Sequence, residues 1–139
     1  MVDPGRLRSL LDRLAEESGH LTRLASLTDD ELLGDADRLA AAKYRFVVAI
    51  EVCIDVGEHV AASEGLRAPA DFADTFASLA QGGFLPEALV PNLQAMARFR
   101  NLLVHGYARV DDARVVELLR TRLGDIEDFR REIAARTIE

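Results

Sequence analysis

"DRLAAAKYRFVVAIEVCIDVGEHVAAS", residues 37–63, is the stretch that decides the fold. Phe46, Ala49, Cys53, Val56 and Val60 recur at helical spacing and make one apolar face. The segment stops before Gly65, a usual helix terminator. Glu51, Asp55 and Glu58 line up with Tyr44 on the opposite side, closely flanked by Val47, Val48 and Ile54. Glu58 reads as an ordinary solvated charge. Glu51 and Asp55 have more apolar company than a solvated face needs, which makes them candidate partners for buried cations elsewhere. Cys53 reads as core filler.

Four further helical segments surround this one, and no convincing strand pair is present, so the expected fold is an all-α bundle of four to five helices in one domain. The first starts near Asp3, with Pro4 at the first helical position. Its Leu7, Leu10, Leu11, Leu14, Leu21 and Leu24 repeat helically. Thr28 and Glu31 have the spacing of a capping box, although the nearby Gly34 argues against a sustained helix. Asp71 is placed to cap a short helix ended by Gly82-Gly83. Pro86 or Pro91 opens a fourth helix that reaches Gly106. Asp111 or Asp112 caps a fifth, with Val116, Leu119, Leu123, Ile126, Phe129 and Ile133 on one side.

The composition narrows the class. At 139 residues the chain has the size of one compact domain, and no apolar run is long enough to span a bilayer. Its N-terminus is acidic and amphipathic, unlike a signal peptide, so a soluble cytoplasmic protein is expected. One cysteine excludes an internal disulfide and a cysteine-rich zinc site; no metal or cofactor is expected. The net charge of −7 argues against nucleic-acid binding by the whole surface. From Pro91 to Arg122, however, six arginines face three acidic residues, a basic patch on an acidic body.

The fourth helix carries an unusual polar set in "MARFRNLLVHGYARV", residues 96–110. On an ideal helix Gln94, Arg98, Asn101 and His105 share a narrow wedge. Leu93, Met96, Ala97, Leu103 and Val104 form an apolar stripe into which Arg100 and Tyr107 also fall. Such a helix is expected to be buried on several sides. A buried guanidinium needs a partner or a route to water, and Glu51 or Asp55 could pair with Arg98 or Arg100. Taken singly, His105 could be a helix C-cap and Tyr107 a packed ring.

The run Arg100-Asn101-Leu102-Leu103-Val104-His105-Gly106-Tyr107 resembles the Arg-x4-His-x-Tyr motif of the HepT-like toxins in the HEPN superfamily. The stretches around residues 43–69, 71–86 and 93–111 are similar to the family's second helix, connecting helix and motif helix. The resemblance covers roughly residues 40–130. It implies a homodimer that brings two motif helices together in a composite cleft. It also implies metal-independent RNA cleavage, the ribose 2′-OH attacking the adjacent phosphorus. His105 would move protons, Arg100 would hold the developing negative charge, and Asn101 would orient either the histidine or a phosphate oxygen. Arg98, a local addition outside that motif, is a candidate phosphate contact or ion-pair partner. Tyr107 would receive AMP from an MntA-type nucleotidyltransferase antitoxin, as in a type VII-like toxin–antitoxin pair. The alternatives are a non-catalytic HEPN nucleotide-binding module and a plain helical scaffold whose polar set fixes dimer register.

Overall fold

The computed structural model describes residues 3–137, and those residues form helices joined by short connections, with no strand among them. Helix α1 spans Pro4–Ala25, α2 Asp29–Leu33, α3 Ala36–Ser63, α4 Phe72–Gln81, α5 Val90–His105, α6 Asp112–Thr121 and α7 Leu123–Thr137. Short 3-10 turns at Glu87–Leu89 and Tyr107–Arg109 precede and follow α5. Among the described residues no helix is long and apolar enough to cross a membrane.

Local chemistry accounts for most boundaries. The Asp3 carboxylate accepts from the N–H groups of Gly5 and Arg6 at 3.0 and 3.2 Å, and Pro4 occupies the first turn of α1. Asp35, Asp71 and Asp111 start α3, α4 and α6 in the same way. The α3 helix ends where Gly65 turns to φ +66°, letting the Leu66 N–H reach the Ala61 carbonyl at 2.9 Å. Pro86 precedes the 3-10 turn and Pro91 lies in the first turn of α5, which settles where that helix starts.

Two expectations from the sequence change. The capping box at Thr28 is real: Glu31 N–H donates to Thr28 Oγ1 at 3.1 Å, and Thr28 N–H to Glu31 Oε1 at 3.0 Å. It starts the separate helix α2, whose Leu32 is fully buried. Gly34 caps its end, where a Cβ would stand 2.6 Å from the Asp30 carbonyl oxygen. The expected single fifth helix is two, broken at Arg122, where the backbone leaves helical geometry (φ −121°, ψ 1°). Gly124, a poor helix former, sits beside the break. The apolar face continues across it through Ile126, Phe129 and Ile133, all fully buried.

The α3 helix is the central post of the core. Phe46, Ala49, Cys53, Val56 and Val60 are buried on it as the periodicity predicts, and burial pushes the Cys53 thiol up, consistent with an inert filler. Phe46 meets Phe99 of α5 edge to face at 5.5 Å, and Phe76 of α4 meets Phe129 of α7 at 5.6 Å. At Gly57 the α4 helix comes so close that a Cβ would lie 2.6 Å from Thr75 Cγ2 and 3.1 Å from Leu79 Cδ1. The absence of a side chain there sets how α4 docks on α3.

The periodicity of α1 predicts an apolar face but not the carboxylate inside it. Glu17 is buried, and its oxygens accept from Arg13 Nε at 3.2 Å and from Arg45 Nη1 at 3.2 and 3.3 Å. This cluster joins α1 to α3 on the far half of the bundle's central helix. Its charge is compensated by two cations that both reach solvent.

Candidate active site

Arg100 leaves α5 on the side that faces α3 and α4. Its side chain is only 13% exposed, so its charge must be met inside the fold. Arg100 Nε donates to Glu51 Oε1 at 3.0 Å, and Nη2 donates to the same oxygen. Nη1 donates to Asn101 Oδ1 at 3.1 Å. From the other side the Phe72 ring, at the start of α4, lies 5.2 Å from the guanidinium carbon. Three helices therefore hold one cation: α5 supplies it, α3 pairs it and α4 covers it.

This arrangement realises one of the pairings anticipated from the sequence and not the others. Glu51 takes Arg100. Asp55 pairs with neither arginine, although it lines the same small cleft as Glu51, Ile54, Glu58, Phe72 and Arg100. Partial burial and the neighbouring Glu51 charge push the Asp55 carboxyl up, against a smaller opposing pull from Arg6. Arg98 is exposed on the outer face of α5 and makes no ion pair among the described residues. Phe72 was absent from the sequence reading; its only signal was an apolar side chain directly after the Asp71 cap.

His105 is the last residue of α5 and is exposed. The helix stops there, Gly106 turns out of helical geometry (φ −118°, ψ 29°), and Tyr107 begins the 3-10 turn. A Cβ on Gly106 would lie 2.8 Å from Leu102 Cδ1, so a larger residue there would have to turn the Leu102 side chain aside. Tyr107 is 76% exposed rather than packed in a stripe with Arg100. The ideal wheel superposed the two residues only by continuing α5 two positions too far. Nor is α5 buried on several sides throughout. Leu93, Met96 and Ala97 are buried, but Leu103 is half-buried and Val104 exposed. His105 and Tyr107 are thus exposed at the end of α5, whereas Arg100, five residues before His105, is sheltered and paired. No group of His, Cys, Asp and Glu residues that could hold a metal is present among the described residues.

The ribonuclease HepT-like family matches residues 14–133, which takes in α2 to α6 whole, parts of α1 and α7, and the whole Arg100–Tyr107 run. The chain belongs to the HepT-like family. Within it, the mRNA nuclease HepT of Shewanella oneidensis is 34% identical over 79 residues, 57% of this chain. That match spans 59% of the nuclease's own length. The fold is shared more widely. The tri-AMPylated HEPN toxin of S. oneidensis, solved in complex with its MNT antitoxin, superposes with a TM-score of 0.85 at 23% identity, covering 93% of this chain and 96% of that one. The cytosolic Bacillus subtilis protein YutE, whose function is unknown, gives 0.83 at 20% identity, covering 97% and 90%. The HepT-like fold thus extends over nearly the whole chain, with the motif at the exposed end of α5.

Proposed function

We propose that this HepT-like protein is an endoribonuclease toxin that works as a homodimer, and that an MntA-type nucleotidyltransferase silences it by adding AMP to Tyr107. The observation that carries the reading is the contrast within one motif: Arg100 sheltered and held in place, His105 and Tyr107 presented to solvent at a helix end. Family membership and the named S. oneidensis relatives support it.

In this mechanism His105 takes the proton of a ribose 2′-OH as that oxygen attacks the adjacent phosphorus. The P–O5′ bond breaks, leaving a cyclic phosphate and a 5′-OH that must receive a proton. An imidazole does either task near neutral pH, and a dimer offers two of them. The Arg100 guanidinium is fixed before the reaction and faces the negative charge that grows on the phosphoryl oxygens. Asn101, bonded to Arg100, orients that cation. No step requires a metal, so chelator leaves the rate unchanged. AMP on Tyr107 would set phosphate and bulk at the same helix end and exclude RNA.

A scaffold reading has one observation in its favour: Glu51 already neutralises Arg100, as in a purely structural ion pair. The two readings separate in co-expression with the nucleotidyltransferase, followed by intact mass and peptide mapping. The toxin reading expects added AMP confined to the peptide holding Tyr107 and none on Tyr107→Phe, which stays an active nuclease. An unmodified chain that also leaves RNA intact favours the scaffold.

A further inference from the structure

Most arginines of the chain are tied to carboxylates among the described residues, including Arg45 to Glu17, Arg67 to Asp74, Arg120 to Asp29 and Arg130 to Glu127, whereas Arg6, Arg8 and Arg23 on α1 are not. Two more without a carboxylate, Arg98 and Arg109, flank the motif. Both are exposed, and neither makes an ion pair or hydrogen bond through its side chain among the described residues. The acids closest to Arg109 in sequence are committed elsewhere. Asp111 accepts from the Ala113 N–H at 3.0 Å to start α6, and Asp112 pairs with Lys43 Nζ at 2.8 Å.

The two arginines bracket His105. Arg98 precedes it by seven residues on the same helix, which places the two about 20° apart around the axis and about 10 Å apart along it. Asn101 is exposed between them. Beyond the helix end, the Arg109 N–H donates to the Gly106 carbonyl at 2.8 Å and closes the turn. That turn folds the guanidinium back until Nη2 lies 3.7 Å from the position a Cβ on Gly106 would take. Arg109 therefore sits against the residue between His105 and Tyr107. Meanwhile the side-on edge of Arg100, its Nε and Nη2, is already filled by Glu51.

We propose that Arg98 and Arg109 form a backbone track for a single RNA strand. They bind the phosphates on either side of the one that His105 addresses, so that the strand runs along the end of α5. The inference rests on the nuclease reading and adds a division of labour. Two unpaired guanidinium groups supply affinity, while the paired Arg100 acts on the reacting phosphate.

The test uses the full-length chain, a single-stranded RNA oligonucleotide methylated at every 2′-oxygen, and the cleavable RNA of the same sequence. Anisotropy titrations across a salt series compare wild type, Arg98→Ala, Arg109→Ala and the double variant. Each single change is expected to weaken binding about 3- to 10-fold and to reduce the slope of log K against log salt by about 0.7. On cleavable RNA the loss should appear mainly as a raised KM. Lysine at either position should restore most of the affinity, and melting temperatures should stay at the wild-type value. Unchanged affinity and salt slope, or a loss confined to kcat, overturns the track while leaving the nuclease standing. A folded wild type that neither binds nor cuts RNA removes the nuclease reading, and the track with it.

Discussion

Two carboxylate–arginine clusters tie α3 to its neighbours, and they are built the opposite way round. In the Glu17 cluster the acid is buried and its two arginines reach solvent. In the Glu51 cluster the arginine is sheltered and the acid lies 46% exposed. A buried carboxylate fixed by two wet cations holds α1 against α3 and leaves nothing over for chemistry. A sheltered cation whose Nε and Nη2 meet Glu51 and whose Nη1 meets Asn101 still has N–H groups left over. If Arg100 acts as proposed, what separates the functional pair from the structural one is which partner is buried.

The largest expected effect lies on the open side of this comparison. His105→Ala should lower single-turnover cleavage by on the order of 10² to 10⁴. The far-UV circular dichroism should be unchanged, because the imidazole is exposed and no described residue bonds to it. Cleavage at the wild-type rate by a folded variant would remove His105 from the mechanism.

Glu17→Gln should act on stability instead, costing about 2 kcal/mol in urea unfolding. The loss stays modest because Arg13 and Arg45 can turn into water. Cleavage by the folded fraction should be unaffected. If activity falls in step with His105→Ala, the two clusters are not functionally distinct.

Glu51→Gln is expected to cost about 1 to 2 kcal/mol, since Gln keeps an acceptor oxygen for the sheltered Arg100 but removes its counter-charge. Its main effect should be a several-fold drop in kcat as Arg100 loses its fixed direction, with KM little changed. Faster cleavage would instead identify Glu51 as a competitor for the guanidinium.

The smallest effect belongs to Asp55, which shares the Glu51 cleft without a pairing arginine. Folding pushes its carboxyl up, through burial first and Glu51 second. The native state therefore loses stability as pH rises through the ordinary carboxylate range toward the folded value. Asp55→Asn removes that loss, so the variant should melt slightly higher than wild type at pH 7. The gain should vanish below about pH 3, where the carboxyl is protonated in both states. A lower melting temperature at pH 7 would mean that Asp55 has a favourable partner after all.

The all-α architecture, the buried face of α3 and the aspartate caps were legible because each depends on neighbours within one or two turns. The Arg100–Glu51 contact was half legible: the sequence showed a cation in an apolar stripe and two acids needing company, but not which acid lay level with it. Tyr107 was misplaced for a definite reason. A helical wheel assumes a constant 100° per residue, and α5 gives way to the tighter 3-10 geometry after His105. Glu17 and Phe72 were illegible because their roles exist only between helices. An acid among leucines resembles an interruption until Arg45, 28 positions away, is brought to it. The break at Arg122 was hidden because the apolar spacing runs through it unbroken.

Gly57 touches none of the motif residues, yet it governs one of them at a distance. Thr75 and Leu79 rest where its side chain would be, and the ring of Phe72, one turn earlier on the same helix, covers Arg100. A saturation library scored by toxicity to the host cell would flag this position as intolerant, and a list of RNA contacts would omit it. What such a screen would be measuring at residue 57 is the clearance between two helices.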